Sequence, residues 1–549
     1  MKALKTLNPY FWKHRTLLFW GFLFIILSNF FNIFKVQFIG KSVDQLENFG
    51  KLGFNQEILI YVAIIVGSSL LTGLFTFMMR QTIIVASRRI EYELKNNIFR
   101  HYEDMSLTQY KKSTIGDLMN RLSEDVVAVR MYLGPGVMYV ANLLVLLIIT
   151  GIYMWNTDRS MTLWTLIPLP VLSYAIYKVS SIINRKSKTM QKSQSAISTF
   201  VQDSFSGIRV IKFFAKEKYI EKNYGAKVSD YQEKALDLAK TEAYFFTIII
   251  FVIGMLNVVI LYIGGEKYIA NELSVGKIAD FFLYVNTLIF PFSMVGWVTS
   301  VNQRAEASMA RINEFLDQSS EIENTNNEIY PIKGDIEFRN VSYIYPNTGI
   351  KALDNLSFKI NSGESLAVMG KTGSGKSTIA LLLCRMIDPT EGEILIDGKN
   401  LKEHNLDLYR KKIGYIPQES YLFSDTIENN IGFAVDNPFH EKVVKFAKIA
   451  DIDKNIVEFK EQYKTMVGER GVMLSGGQKQ RICIARALIK EPEIVIFDDS
   501  LSALDTETEE NILRNIDTEL INCTSIIITH RESSIKRADK ILNLSDLEK

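Results

Sequence analysis

A chain of 549 residues is too long for one ordinary domain, and its apolar content (47%) is gathered into long runs within the first three hundred positions, so two parts facing two solvents are expected. The formal net charge of +2, without a basic stripe, excludes the phosphate-neutralising surface of a nucleic-acid partner. Cys384, Cys483 and Cys523 lie in apolar stretches with no CxxC spacing, which favours small core residues in a reducing compartment.

Lys2, Lys5, Lys13 and Arg15 precede the first apolar run. That run is long enough to span and no small-residue cleavage site follows, so it reads as a retained first span. Six stretches, at 17–38, 58–79, 133–155, 163–179, 244–263 and 278–298, have the length and apolarity to cross about 30 Å of hydrocarbon. The N-terminus holds only basic residues, whereas the first short connection balances its lysines with Asp44, Glu47 and Glu57. By the positive-inside rule both termini are expected in the cytoplasm. The basic stretches 80–130 and 178–240 fall on that same side and keep a helical period, as in Ile90, Leu94 and Ile98, so the spans are expected to continue as cytoplasmic helices. Each turns at a short polar segment, near 111–117 and 202–209. Asn29, Asn32, Lys35, Asn257, Asn286, Phe281, Phe282, Tyr284 and Trp297 are candidates for lining a cargo path. The plainer reading of each is interhelical hydrogen bonding or contact with lipid.

From Asp335 onward short alternating strands appear, followed by an α/β alternation. An apolar run leads into Gly370, Lys371, Thr372, Gly373, Ser374, Gly375, Lys376, Ser377 and Thr378 and then an apolar helix, which is the P-loop pattern in its strand-loop-helix context. Glycines let backbone N–H groups wrap the phosphates of ATP, Lys376 reaches the β and γ oxygens, and Ser377 is placed to ligate Mg²⁺. Three further apolar strands end in polar residues, at Gln418, at Asp498 and Asp499, and at His530. Because ligands bind at the carboxyl ends of parallel strands, these residues should converge on the P-loop. Asp498 is the expected Mg²⁺ partner, with Gln418 near metal and water. Asp499 faces the attacking water, and His530 donates to the γ-phosphate. Ser475, Gly476, Gly477 and Gln478 open another helix, a second anion-binding terminus that the chain's own P-loop does not need.

LSGGQ together with the P-loop, IVIFDD, SLSALD and ITH at these separations resembles the ATP-binding cassette exporters that carry membrane and nucleotide domains on one chain. The resemblance covers almost the whole sequence. It implies an all-α six-helix transmembrane domain (residues 1–320), a linker (321–334) and an α/β P-loop nucleotide-binding domain (335–549), working in the plasma membrane to export a small apolar or amphipathic substrate. It further implies that Tyr345 stacks on adenine, that 467–471 with Glu469 contacts the membrane domain, and that 502–505 joins the two sites. The segments near 111–117 and 202–209 would be coupling helices. Two cassettes would close head to tail, with Lys376, Asp498 and His530 of one facing Ser475 and Gly477 of the other across one ATP.

One departure matters. Asp499 stands where the family usually has Glu, and its carboxylate is one methylene shorter. Misplacing a general base forfeits roughly 10²–10⁴ in rate, so a heterodimer is favoured in which this chain owns the slow site and lends a complete signature to a second half-transporter. The alternatives are a homodimer in which Asp499 still serves, and an ATP-binding regulatory or conduit subunit.

Overall fold

Hydrocarbon offers no water to backbone N–H and C=O groups, so a spanning segment must satisfy them internally as a helix. The computed structural model describes residues 2–47, 56–324, 326, 328, 330–468, 471, 473–520 and 522–546. They form two compact units: Met1–Glu103 with Ile115–Gln318, and Asp104–Thr114 with Ser319–Lys549.

Among the described residues the first unit contains helices and no strand. Among the described residues five stretches are long and apolar enough to cross a membrane: Arg15–Leu46, Gln56–Asp104, Ile115–Thr157, Glu217–Ile269 and Val275–Leu316. The expected span at 163–179 is instead divided between Arg159–Leu166 and Pro168–Ser206. Pro168 lacks an N–H and its ring clashes with the preceding turn, so it opens a helix rather than lying inside one. Side chains at 169–173, 175–177 and 180 lie outside the described residues.

Burial in this unit runs opposite to that of a water-soluble domain. Only 6–40% of each spanning window is buried, and Phe19, Leu70, Phe77, Ile148, Phe251 and Leu261 point outward. Such a surface is stable only against lipid tails. The interior packs Ile33, Leu146, Met154, Ile260, Phe281 and Leu288. Polar groups there find partners across helices: Asn29 donates to Asn142 Oδ1 at 2.8 Å, and Ser28 lies 2.8 Å from Thr76. These contacts correct part of the cargo-path expectation. Asn29 is used between helices, Asn286 donates to the Phe282 carbonyl at 2.8 Å, and Phe281 and Tyr284 are fully buried in the protomer's own bundle. An amide in hydrocarbon takes the nearest acceptor.

The first and last spanning helices meet backbone to backbone at Gly40 and Gly276, where a Cβ on Gly276 would overlap the Gly40 carbonyl. The Asp44 carboxylate seals this crossing, accepting from the Ser274 hydroxyl at 2.8 Å and the Gly276 N–H at 2.5 Å. Along the helical extensions, Glu91 holds Arg88 and Arg130, and buried Asp125 accepts from Ser308 (2.8 Å) and Arg311.

The two turning segments lie slightly off their expected places. The first short helix is Leu107–Lys112, opened by a capping box of Ser106 and Gln109, and it belongs to the second unit. The second is Ile208–Phe213, because Pro168–Ser206 runs on as far as Gly207.

The second unit is built on two sheets. An antiparallel one has the order β2-β1-β4-β5, and a parallel one the order β6-β7-β8-β3-β9. The strands are β1 (Ile336–Ile344), β2 (Lys351–Ile360), β3 (Ser365–Met369), β4 (Glu391–Ile396), β5 (Lys399–Asn400), β6 (Ile413–Ile416), β7 (Ile494–Asp498), β8 (Thr524–Ile528) and β9 (Lys540–Asn543). β7 is buried along its whole length. Ile494 and Ile496 enter the core that holds the helix Lys376–Leu383, while Val495 and Phe497 enter the core that holds the helix Gly476–Leu488. A strand buried on both faces reads as an unbroken apolar run, as IVIF does. Cys384 and Cys483 are buried and all three cysteines are free thiols, as core residues should be.

Gly276→Ala is expected to push the first and last spans apart and to destabilise the membrane unit by about 1–3 kcal/mol. Thermal melting in detergent would register this as a lower midpoint. Gly265→Ala, where nothing lies within 4 Å of the added methyl, should not lower it.

Candidate nucleotide-binding site

The parallel sheet brings four chain segments to one end, because β3, β6, β7 and β8 all run the same way. β3 ends at Met369, and the loop that follows turns through three glycines with positive φ: Gly370 (155°), Gly373 (88°) and Gly375 (87°). A side chain at Gly375 would overlap the Ala352 carbonyl, so only glycine lets this loop lie against β2. The loop delivers Lys376 and Ser377 to the first turn of Lys376–Leu383.

Lys376 is buried, and its ammonium donates to the carbonyls of Gly370 (2.7 Å) and Lys371 (2.8 Å). Burial holds its pKa below the ordinary lysine value, with Asp499 and Asp498 opposing that shift. The Ser374 hydroxyl is buried without a hydrogen-bond partner. A cation folded back onto its own loop, beside an unsatisfied hydroxyl, is what an incoming phosphate would satisfy.

Asp498 ends β7 and is buried. The Ser377 hydroxyl donates to its Oδ1 at 2.8 Å and the Tyr415 hydroxyl to its Oδ2 at 3.2 Å. Burial raises its pKa, partly offset by those two hydrogen bonds. Asp499 follows with a left-handed backbone (φ 49°), and its N–H donates to the Ile528 carbonyl at 3.0 Å. This turn aims its carboxylate at Gln418, whose amide donates to Asp499 Oδ2 at 3.2 Å. Ser377, Asp498 and Gln418 together offer hard oxygen donors but no dense ligand cage, and no group of three or more His, Cys, Asp or Glu forms a cage among the described residues. That donor set fits a Mg²⁺ held largely through phosphate and water. His530 is exposed just beyond β8.

Tyr345 sits beside this loop. Its hydroxyl lies 3.1 Å from Thr378 Oγ1, its ring packs edge-on to Tyr343, and the Lys111 ammonium lies 5.8 Å from its centre. Sequence reasoning missed Tyr415, which had a signal, one residue inside the apolar strand that leads to Gln418; Lys111 was named only as the start of a turning segment, not as a neighbour of Tyr345.

Ser475 caps Gly476–Leu488 in a reciprocal box, its hydroxyl accepting from the Gln478 N–H while Gln478 Oε1 accepts from the Ser475 N–H. Ser475 and Gly476 are exposed. A Cβ at Gly477 would lie 3.5 Å from the Ala503 carbonyl, so the 502–505 segment connects the end of β7 to the base of this cap. Glu469 lies outside the described residues.

Gly375→Ala is expected to weaken binding of a fluorescent ATP analogue tenfold or more. The methyl imposes both a left-handed backbone on alanine and an overlap with β2. Equilibrium titration would read the change.

Two family models match: residues 18–292 the ABC transporter transmembrane region, and residues 353–502 the ABC transporter family. The uncharacterized ABC transporter ATP-binding protein YknU of Bacillus subtilis is 32% identical over 99% of this chain and 92% of its own length. The ATP-dependent lipid A-core flippase of Photorhabdus laumondii is 31% identical over 91% of this chain and 86% of its own. A solved bacterial Atm1-family ABC exporter with ATP bound superimposes with a TM-score of 0.79 at 25% identity, over 98% of this chain and 94% of that one. Matched along both its membrane helices and its P-loop unit, this chain belongs to the ABC exporters, which carry both domains on one polypeptide and couple ATP hydrolysis to transport.

Proposed function

We propose that this chain is one half of a heterodimeric exporter of amphipathic small molecules in the plasma membrane, with both termini cytoplasmic, and that its own ATP site is the slow one. The observation that carries the reading is Asp499. Its backbone is held by β8 and its carboxylate, one methylene shorter than the glutamate usual in the family, is engaged by Gln418, which supports a carboxylate set back from the attacking water. Relatives that match nearly end to end carry names of the same kind, a probable multidrug resistance ABC transporter of Bacillus subtilis and the lipid A-core flippases.

ABC exporters work as dimers, and two features support a partner here. The cap formed by Ser475, Gly476, Gly477 and Gln478 is exposed at Ser475 and Gly476, with its backbone N–H groups at a helix N-terminus suited to a phosphate. The short helix Ile208–Phe213 buries none of its residues and leaves Val210, Phe213 and the following Phe214 exposed, an apolar tip at the end of a polar helical extension.

In this reading Lys376 exchanges the carbonyls of Gly370 and Lys371 for phosphate oxygens, and Tyr345 provides an aromatic face for the adenine. Ser377 and Asp498, already paired with each other, would hold a Mg²⁺ ion, which would supply charge neutralisation for the phosphates. His530 donates to the γ-phosphate, and the partner's signature cap closes the other side. Closure of the cassettes is then transmitted into the spans, whose equilibrium shifts only by the difference in affinity between the two states.

Two measurements test this. Asp499→Glu should raise ATP turnover at this chain's site tenfold or more; robust hydrolysis by the wild-type chain alone would show that no sister subunit is needed. In the assembled complex, Ser475→Arg should cut total turnover about tenfold more than Lys376→Ala does, since the first damages the fast site and the second the slow one. Equal losses would favour a homodimer, and downhill flux without turnover a conduit.

A further inference from the structure

Two helices of the membrane unit present matching polar faces where their apolar stretches end. On Pro168–Ser206 the residues are Ser181, Asn184, Arg185 and Lys188, and on Val275–Leu316 they are Gly296, Thr299, Ser300 and Gln303. Both sets follow the spacing i, i+3, i+4, i+7, one helical face each. Between them lies a cavity of about 250 Å³ with no acidic residue in its wall. The neighbouring Lys186 is neutralised by Asp237 at 2.7 Å. Among the described residues Arg185 and Lys188 have no such carboxylate, and both are exposed. Two cations with five neutral hydrogen-bonding side chains, and no counter-charge in the wall, form a receptor for an anion.

Position and size narrow the ligand. The sequence turns polar after Val179 on Pro168–Ser206 and after Val298 on Val275–Leu316, which sets the cavity at the polar boundary of the bilayer, where headgroups lie. Its volume falls below the roughly 300–1,000 Å³ of sites that enclose a drug-sized molecule. It has room for a headgroup, and a tail would have to lie outside it among the apolar helix surfaces.

We infer that this cavity binds the phosphate-type headgroup of an anionic amphipath and selects the exporter's cargo by that charge. The inference rests on the export reading for its consequence, but the site can be tested without it. Radiolabelled dodecyl phosphate is titrated onto the nucleotide-free complex in phosphatidylcholine nanodiscs. Arg185→Gln with Lys188→Gln should weaken binding about tenfold or more, from the loss of two interfacial cations, whereas Arg185→Lys with Lys188→Arg should retain it. Dodecyltrimethylammonium should not compete, and inorganic phosphate should compete only at far higher concentration. Unchanged binding in the Gln variant, or equal competition by the cationic amphipath, overturns the site. Equal competition by inorganic phosphate overturns its amphipathic selectivity. Charge-dependent binding without ATP-driven movement of the probe supports the site and overturns the export reading instead.

Discussion

The hydrogen bond from Ser377 to Asp498 joins segments 121 residues apart, and the nucleotide site has no geometry without it. It requires β3 and β7 to lie in one parallel sheet on either side of β8, the left-handed Gly375 that swings the helix start inward, and the two-faced burial of β7 that fixes where the strand stops. Each of these is a backbone or packing constraint. The chemistry follows because they coincide at one point, where a buried carboxylate, a buried ammonium and an array of N–H groups share a small volume of low dielectric.

The membrane unit obeys a different rule. Its apolar side chains are displayed rather than hidden, and its cohesion comes from close packing and from polar groups that find each other across helices. Asn29 with Asn142, Asp44 with Ser274 and Gly276, and Asp125 with Ser308 and Arg311 recur at different heights along the bundle. Each joins helices far apart in sequence.

Much of the cassette was readable in advance because its signals are local. A strand, a glycine loop and a helix follow one another within twenty residues, and Asp498, Asp499 and Gln418 could be recognised as polar residues ending apolar strands. Ser475 announced its cap through Gln478 three positions on. Long-range geometry was less legible. Nothing local says that Tyr415 reaches Asp498, since the period-two alternation of a short apolar strand does not reveal what crosses it. The cargo-path candidates were ambiguous for a related reason: polarity within a span marks either a ligand or a neighbouring helix, and buried Asn29 turned out to bond Asn142 across helices. The division of the fourth span at Pro168 was written in the sequence, but the hydropathy of 163–179 hid it.

The seam at Gly40 and Gly276 has a mechanical meaning. With two backbones in contact and one carboxylate clasping the start of the opposite helix, the first and last membrane segments cannot slide or splay independently at that end. In this conformation the clasp sets a toll on movement: any rearrangement that separates the two helices at that end must first break the contacts of Asp44 with Ser274 and Gly276.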